Sequence, residues 1–305
     1  MLSQDLARYV DLHQSLGFKF RTQRLLLRNF VAFAERAGDT WVHASRALEW
    51  AAQAPSPPQR HNRIATLRRF ALALHAEDPR HEVPAADVFG RAWFQRCAPH
   101  LYSPQQIAAL IQAASQLAPP GSIRPVTYAT LFALLSATGL RISEALALKI
   151  EDLTADGLLI RATKFRKDRL VPLHATTRCA LERYLRRRSR VASTSTAVFI
   201  SVKGTALCYP TVVTVFLGLV RSIGLRAGPG QRGPRIHDLR HTFAVRSLER
   251  CAGDAAAVRR HATALSTYLG HTHVSDTYWY LQATPRLMGQ IAEAAETLLH
   301  RGEPS

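Results

Sequence analysis

The sequence predicts a mainly α-helical protein of two domains, with one small antiparallel β-sheet in the second domain. Apolar residues recur at helical spacing through most of the first 76 residues. The stretch over 77–99 then lacks this periodicity and contains three prolines, which is typical of a linker. A paired strand pattern follows over 157–173. We therefore predict domains over residues 1–95, with the linker, and 101–305.

Four helices are expected in the first domain. They are predicted over residues 2–16, 21–37, 41–53 and 59–76. The last of them carries four arginines opposite apolar residues, namely Arg60, Arg63, Arg68 and Arg69. Taken alone, such a face is read as a solvated helix surface. With the charge of the whole chain, contact with DNA is the better interpretation.

The second domain is expected to begin at a helix capped by Ser103, with Pro104 in its first turn. A buried helix over 127–138 ends at Gly139, and Glu144 lies at the opening of the next helix. Further elements are strands over 157–163 and 169–173 joined by a polar turn, a basic helix over 177–190, a short strand over 197–201 and a core helix over 210–223.

The charge of the chain points to a polyanionic partner. Lys and Arg number 40 against 22 Asp and Glu, which gives a net charge of +18 and a pI near 10.8. Residues 1–100 carry +5 of this excess and residues 101–305 carry +13. Nucleic acid is the first partner to expect at such a charge. An anionic membrane is the weaker interpretation, because no basic amphipathic helix or lipidation signal stands out.

The four cysteines are widely spaced and form no CxxC pair, so neither zinc nor disulfides are indicated. The first residues lack a signal-peptide pattern, and the apolar runs are far shorter than a membrane span. We therefore expect a cytoplasmic, nucleoid-associated protein without a membrane partner.

Six residues whose side chains are suited to catalysis occur in the second domain. They are Arg141, Lys164, His237, Arg240, His271 and Tyr280. Residues 137–144 read Ala-Thr-Gly-Leu-Arg-Ile-Ser-Glu, residues 237–241 read His-Asp-Leu-Arg-His, and Tyr280 follows the Leu-Gly-His of 269–271 by nine positions. Over residues 101–285 this order and spacing resembles the tyrosine recombinase (phage integrase) family. The Thr-Tyr-Trp-Tyr over 277–280 is similar to that of transposase-type members carried on mobile elements.

The arginines and a tyrosine also suit this chemistry without the resemblance. Displacement at a phosphodiester concentrates negative charge on the non-bridging oxygens, and two arginines can hold those oxygens without a metal. Arg141 and Arg240 are the candidates. A tyrosine nucleophile forms a phosphate ester that conserves bond energy for rejoining. The resemblance selects Tyr280, with Tyr278 as the competitor.

The leaving 5′-oxygen needs a proton, which a lysine on a hairpin tip can supply. The resemblance gives this role to Lys164, and Lys167 could be confused with it. It also implies that His237 and His271 donate hydrogen bonds to the phosphate or assist proton transfer from Tyr280.

Two further side chains are expected to support the site. His241 resembles the closing histidine of the family motif and is expected to stabilise the fold. Glu144 is expected to orient Arg141 or its neighbours. An amphipathic tail over 285–300 either docks on a neighbouring protomer or packs on its own domain, and the sequence leaves both open.

The resemblance implies an N-terminal helical core-binding (SAM-like) domain and a catalytic domain that clamp duplex DNA. It implies site-specific strand exchange through a 3′-phosphotyrosyl intermediate, by a homo-oligomer, a tetramer, on paired DNA sites. No metal, nucleotide or other cofactor is implied. Two alternatives stay open: strand relaxation of the type IB topoisomerase class, and a non-catalytic DNA-binding factor on the same scaffold.

Overall fold

The computed structural model describes residues 1–90, 98–161, 168–228, 230–231, 233–250 and 255–270, the side chains of 255–259 excepted. The chain divides into two compact units, Met1–Cys97 and Ala98–Ser305. The boundary between them falls inside the stretch that the sequence predicts to be a linker. The predicted fold class, mainly α-helical with a small antiparallel sheet, is confirmed.

Four helices build the described part of the first unit. They are α1 (Leu2–Ser15), α2 (Arg21–Arg36), α3 (Ala44–Ala52) and α4 (Pro57–Glu77). Their apolar faces meet in one core around Phe30, Trp50 and Phe70. The indole N–H of Trp50 donates to the Asn29 side-chain oxygen at 2.7 Å, so the ring is buried without an unsatisfied donor.

Three predictions for this unit are wrong in their boundaries. Helix α3 begins at Ala44 and not at residue 41. Helix α4 begins at Pro57 and not at residue 59, because a proline in the first helical turn loses no helical hydrogen bond. The predicted linker begins too early, because His81 is buried and both Val83 and Phe89 pack against the core of the first unit. Residues 81–89 therefore belong to that unit.

The second unit contains seven further described helices and one hairpin. In chain order these are α5 (Pro104–Ser115), α6 (Ile123–Thr138), α7 (Ile142–Ala147), a 3-10 turn (Ile150–Asp152), β1 (Leu158–Ile160), β2 (Arg169–Val171), α8 (Ala175–Arg188), α9 (Tyr209–Ser222), α10 (Asp238–Glu249) and α11 (Ala255–Leu269). Ser103 caps α5 through a reciprocal capping box with Gln106, as the sequence predicts.

Helix α6 is the centre of the second unit. It packs against α5, α8 and α10, and it buries Leu131, Phe132 and Leu135 among other residues. A helix that is apolar around most of its circumference is a buried helix. Helix α11 packs in turn on α10 through Val245 and Leu265. The ends of α6, α10 and α11 are thereby held close to one another.

Strands β1 and β2 form an antiparallel pair in which Leu158 faces Val171 and Ile160 faces Arg169. The hairpin tip, residues 162–167, lies outside the described residues. The predicted strand over 197–201 is wrong: Ala197 and Ile200 form only isolated bridges. Side chains take up the backbone groups of this segment, since Arg188 donates to the Ala197 carbonyl and Ile200 N donates to the Tyr184 hydroxyl.

No helix in the described part of the chain is long and apolar enough to cross a lipid bilayer.

Candidate active site

Gly139 sets the position of Arg141. Helix α6 ends at Gly139 with a φ of +62°, a left-handed conformation that glycine adopts without a steric penalty. A Cβ atom added there would lie 2.5 Å from Cδ1 of Phe243, so a glycine is needed for the α6 end to approach α10. Arg141 follows two residues later and immediately precedes α7.

The Arg141 side chain reaches the carboxyl end of α11. Its Nη1 lies 2.8 Å from Glu144 Oε1 and 3.3 Å from the Leu269 carbonyl oxygen, and its Nη2 donates to the Gly270 carbonyl at 3.1 Å. The Arg141 side chain remains 30% exposed. It is therefore fixed in place but accessible to a ligand.

Arg240 lies in the first turn of α10 and reaches the same carbonyl. Its Nη1 donates to the Gly139 carbonyl and its Nη2 to the Leu269 carbonyl, both at 2.7 Å. Arg240 is only 2% exposed. Two guanidinium groups that are 99 positions apart in sequence thus converge on one oxygen, that of Leu269.

The imidazoles of His237 and His241 stand edge to face, with their ring centroids 4.7 Å apart. His237 keeps an exposed surface, yet desolvation by the surrounding protein and the charges of Arg240 and Arg141 lower its pKa. Burial, followed by the influence of His237, lowers the pKa of His241 to about 4. Both rings are therefore neutral at pH 7.

Glu144 joins Arg141 to a second arginine. The Arg169 guanidinium lies against the same carboxylate, with Nη2–Oε2 at 2.7 Å and Nη1–Oε1 at 3.0 Å. Burial raises the pKa of Glu144, but hydrogen bonds and the charge of Arg169, with further bonds from Arg141, outweigh burial and bring that pKa to about 2. Glu144 thus contacts Arg141 as the sequence predicts.

The described residues bring together three of the six predicted site residues, Arg141, His237 and Arg240. Lys164, His271 and Tyr280 lie outside the described residues, as do the competing side chains Lys167 and Tyr278 and the tail over 285–300. Within the described ranges, no group of three His, Cys, Asp or Glu side chains is arranged to hold a metal ion.

The chain segments that lead to two of those three residues are described. Before the hairpin tip, Arg161 Nε lies 2.5 Å from Asp152 Oδ1, and after the tip Arg169 is bound to Glu144. Leu269 and Gly270, which accept the arginine hydrogen bonds, immediately precede His271. Arg169, after the hairpin tip, and the two residues before His271 are therefore attached to Arg141 or to its partner Glu144, whereas Arg161 is attached to Asp152.

Sequence reasoning did not identify Arg169 as a site residue, because it treats position 169 only as the start of a strand. The available signal is the strand pattern: Arg169 faces the buried Ile160 and shares a strand face with the buried Val171. A charged residue on the buried face of a hairpin indicates an internal ion pair.

A second missed contact fixes α10. Tyr102 is buried just before α5, and its N–H donates to the Thr242 hydroxyl at 3.0 Å. Arg246 donates through Nη2 to the Tyr102 carbonyl. These two hydrogen bonds hold the helix that carries Arg240. They join residues far apart in the sequence, so no local sequence pattern indicates them.

Comparisons with known proteins identify the family of this chain. A profile of the phage integrase family matches residues 101–286. The chain is 39% identical over 304 residues to a Sinorhizobium fredii protein that carries the name integrase/recombinase y4rB, with 96% of each chain covered. It is 32% identical over 239 residues to the tyrosine recombinase XerC of a Methylobacterium species, covering 76% of this chain and 69% of that protein.

Solved structures share the fold at low sequence identity. The XerH site-specific recombinase, in a post-cleavage complex with palindromic difH substrate, aligns with a TM-score of 0.67 at 19% identity, over 92% of this chain and 80% of that one. The Tn1549 transposon integrase in complex with transposon right end DNA aligns with a TM-score of 0.65 at 18% identity, over 98% and 99% of the two chains.

The chain belongs to the phage integrase family of tyrosine recombinases. The resemblance drawn from the sequence motifs is therefore confirmed. Tyrosine recombinases cleave and join DNA strands, so the predicted class of enzyme is confirmed as well.

Proposed function

We propose that this protein is a site-specific DNA recombinase of the integrase or transposase type, which cleaves and rejoins strands through a 3′-phosphotyrosyl intermediate on Tyr280. The observation that carries the proposal is the convergence of Arg141 and Arg240 beside the Leu269 carbonyl. The family assignment supplies the substrate class, and the net charge of +18 suits a polyanion.

The arginine pair suits the transition state of phosphodiester displacement. As the tyrosine oxygen approaches phosphorus, negative charge accumulates on the two non-bridging oxygens. Guanidinium donors that are already fixed in place stabilise this charge without reorganising. Arg141 keeps an exposed surface for a phosphate, and the buried Arg240 supplies a second fixed positive charge behind it.

The proton transfers are assigned to three other residues. The Tyr280 oxygen forms a bond to phosphorus and loses its proton, while the bond from phosphorus to the 5′-oxygen breaks. Lys164 donates a proton to that leaving oxygen. His237 and His271 hydrogen-bond to the phosphate or take up the tyrosine proton. A neutral imidazole has one acceptor nitrogen, and the lowered pKa of His237 supports this role.

The partner is double-stranded DNA, bound in the nucleoid by both units. The pairing of two DNA sites needs several protomers, and we propose a tetramer. Support for the DNA partner comes from the neighbouring structures, which are DNA complexes of XerH and of the Tn1549 transposon integrase. The similarity to a transposon integrase and the Thr-Tyr-Trp-Tyr over 277–280 favour a member carried on a mobile element.

Covalent trapping on DNA tests the proposal. The substrate is a duplex with the recombination site, nicked beside the cleavage position so that the released strand end diffuses away. We expect wild type and Tyr278→Phe to form a protein–DNA adduct and Tyr280→Phe to form none. An adduct lost only in Tyr278→Phe would overturn the choice of nucleophile. A wild type without any adduct on this duplex would contradict the strand-transfer function and support a non-catalytic DNA-binding factor.

A further inference from the structure

Arg169 lies at the contact point of three elements of the second unit. It is the first residue of β2, its side chain is 11% exposed, and it faces the buried Ile160 across the hairpin. Its guanidinium donates two hydrogen bonds to the carboxylate of Glu144 in α7. Its Nε donates to the Tyr268 carbonyl near the end of α11 at 2.9 Å.

Gly270 provides the space for this side chain. A Cβ atom added to Gly270, whose φ is +65°, would lie 2.8 Å from Arg169 Nη1 and 3.1 Å from its Cζ. The same glycine accepts a hydrogen bond from Arg141 through its carbonyl oxygen. The chain therefore leaves room for a guanidinium immediately beside the phosphate-binding arginine.

The contact between Arg169 and Glu144 changes the net charge around Arg141. The Glu144 side chain is only 9% exposed, so its negative charge must be balanced by the protein. With Arg141 alone as its partner, the pair would be neutral. With Arg169 added, the cluster of Arg141, Arg169 and Glu144 carries a net charge of about +1, a formal count for ionised side chains.

We infer that Arg169 is a positioning residue for Arg141. It neutralises Glu144, so that the positive charge of Arg141 remains available to the DNA phosphate, and it ties β2 to the end of α11. This inference rests on the proposed function, in which Arg141 contacts the scissile phosphate. It assigns to Arg169 no direct contact with the substrate.

Single-turnover cleavage of the nicked duplex at saturating protein separates this role from DNA binding. We expect Arg169→Ala to slow cleavage by about 10- to 100-fold, the range for residues that act through another side chain. Its DNA affinity should change by less than about threefold, because one internal arginine adds little to many phosphate contacts. Arg169→Lys, which keeps the charge and loses the fork, should fall between wild type and Arg169→Ala.

A second substitution tests the charge argument. In Arg169→Ala, Arg141 alone balances the charge of the Glu144 carboxylate, so less of its positive charge remains for the phosphate. Adding Glu144→Gln removes that carboxylate. The double variant should therefore cleave about tenfold faster than Arg169→Ala, a rescue that a loss of packing alone cannot give. A double variant no faster than Arg169→Ala would overturn the inference.

Arg161→Ala is the matched control. It removes the arginine partner of another buried carboxylate, Asp152 of the 3-10 turn, at the residue that directly follows β1, without touching Glu144. Its cleavage rate should remain within about threefold of wild type, because Arg161 has no described contact with Arg141, Arg240 or Glu144. A loss equal to that of Arg169→Ala would assign the effect to hairpin anchorage and contradict the role through Arg141.

A readout without DNA separates this inference from the proposed function. Carbon-13 NMR of the Glu144 carboxyl should show it ionised in wild type throughout the folded pH range, since its pKa is about 2. In Arg169→Ala the pKa of Glu144 should rise, because only the Arg141 guanidinium then offsets the effect of burial. An unchanged titration would refute the inference even if cleavage fell. A wild type without cleavage would refute only the proposed function.

Discussion

Arg141 and Arg240, the proposed phosphate clamp, share the Leu269 carbonyl but differ in exposure and in their other described partners. Arg141 is 30% exposed and is bound to a carboxylate, which in turn is bound to Arg169. Arg240 is 2% exposed, and its described hydrogen bonds go to the neutral carbonyls of Gly139 and Leu269. Among the described contacts, an ion-pair cluster holds one positive charge, and the other positive charge is buried against backbone oxygens. The first should respond to changes of nearby charge, and the second should contribute more to folding.

The largest effect on stability is expected at Arg240. Arg240→Ala leaves the Gly139 and Leu269 carbonyls without this donor and removes a packed side chain, so it should lower the free energy of unfolding by about 2–4 kcal/mol. Arg141→Ala should lower it by about 1 kcal/mol, because Arg169 still balances Glu144. Denaturant unfolding of both variants measures the difference. Equal losses would contradict the contrast between the two arginines.

Gly139 should be the next most sensitive position. Gly139→Ala introduces both a strained φ and a Cβ that overlaps Phe243, and we expect a loss of about 2–3 kcal/mol in unfolding free energy. Gly224→Ala is the matched control, since its φ is +72° and a Cβ there meets nothing within 4 Å. The control should lose only about 1 kcal/mol. Equal losses of unfolding free energy in the two alanine variants would show that the close approach of α6 to α10 does not restrict the residue at position 139.

His241 should give the second unit a pH-dependent stability. Its pKa in the folded chain is about 4, below the ordinary value of about 6.5, so the unfolded chain takes up a proton first as pH falls. Stability from this residue is complete above about pH 6.5 and is lost towards pH 4, by about 2–3 kcal/mol. Unfolding measured across this range should show a smaller slope in His241→Gln. An identical slope would show that His241 carries no such shift.

The smallest effect is expected at an exposed arginine outside the clamp. Arg183 lies on the surface of α8, and Arg183→Ala should change the free energy of unfolding by less than about 0.5 kcal/mol. It provides the baseline for losing one positive charge from the second unit. A loss comparable to that of Arg141→Ala would mean that the ion-pair cluster adds nothing beyond net charge.

Much of the fold follows from local sequence signals. Helical spacing predicts the helices, the cap at Ser103 fixes the start of α5, and Gly139 fixes the end of α6. These signals act within one turn of the chain. The extent of the first unit was predicted less well, because the packing of Val83 and Phe89 is a long-range contact without periodicity.

In the described part of the site, the sequence predicts which residues lie near one another but not the contacts that hold them. Arg141, His237 and Arg240 lie together, as the motif order suggests. That Arg169 shares Glu144 with Arg141 could not be read from spacing, because residues 144 and 169 meet only when β2 packs on the end of α11. Such a contact depends on tertiary structure, for which a single sequence provides little information.

The central claim is that Arg141 and Arg240 act as one clamp on one phosphate, and a double-mutant cycle on single-turnover cleavage tests it most directly. Arg141→Lys and Arg240→Lys keep the charge but lose the planar fork. If both arginines hold the same phosphate, the double variant should be slower than the worse single variant by less than about tenfold, because residues that act as a unit are strongly non-additive. Losses that multiply fully would contradict the single clamp and place the two arginines in separate roles.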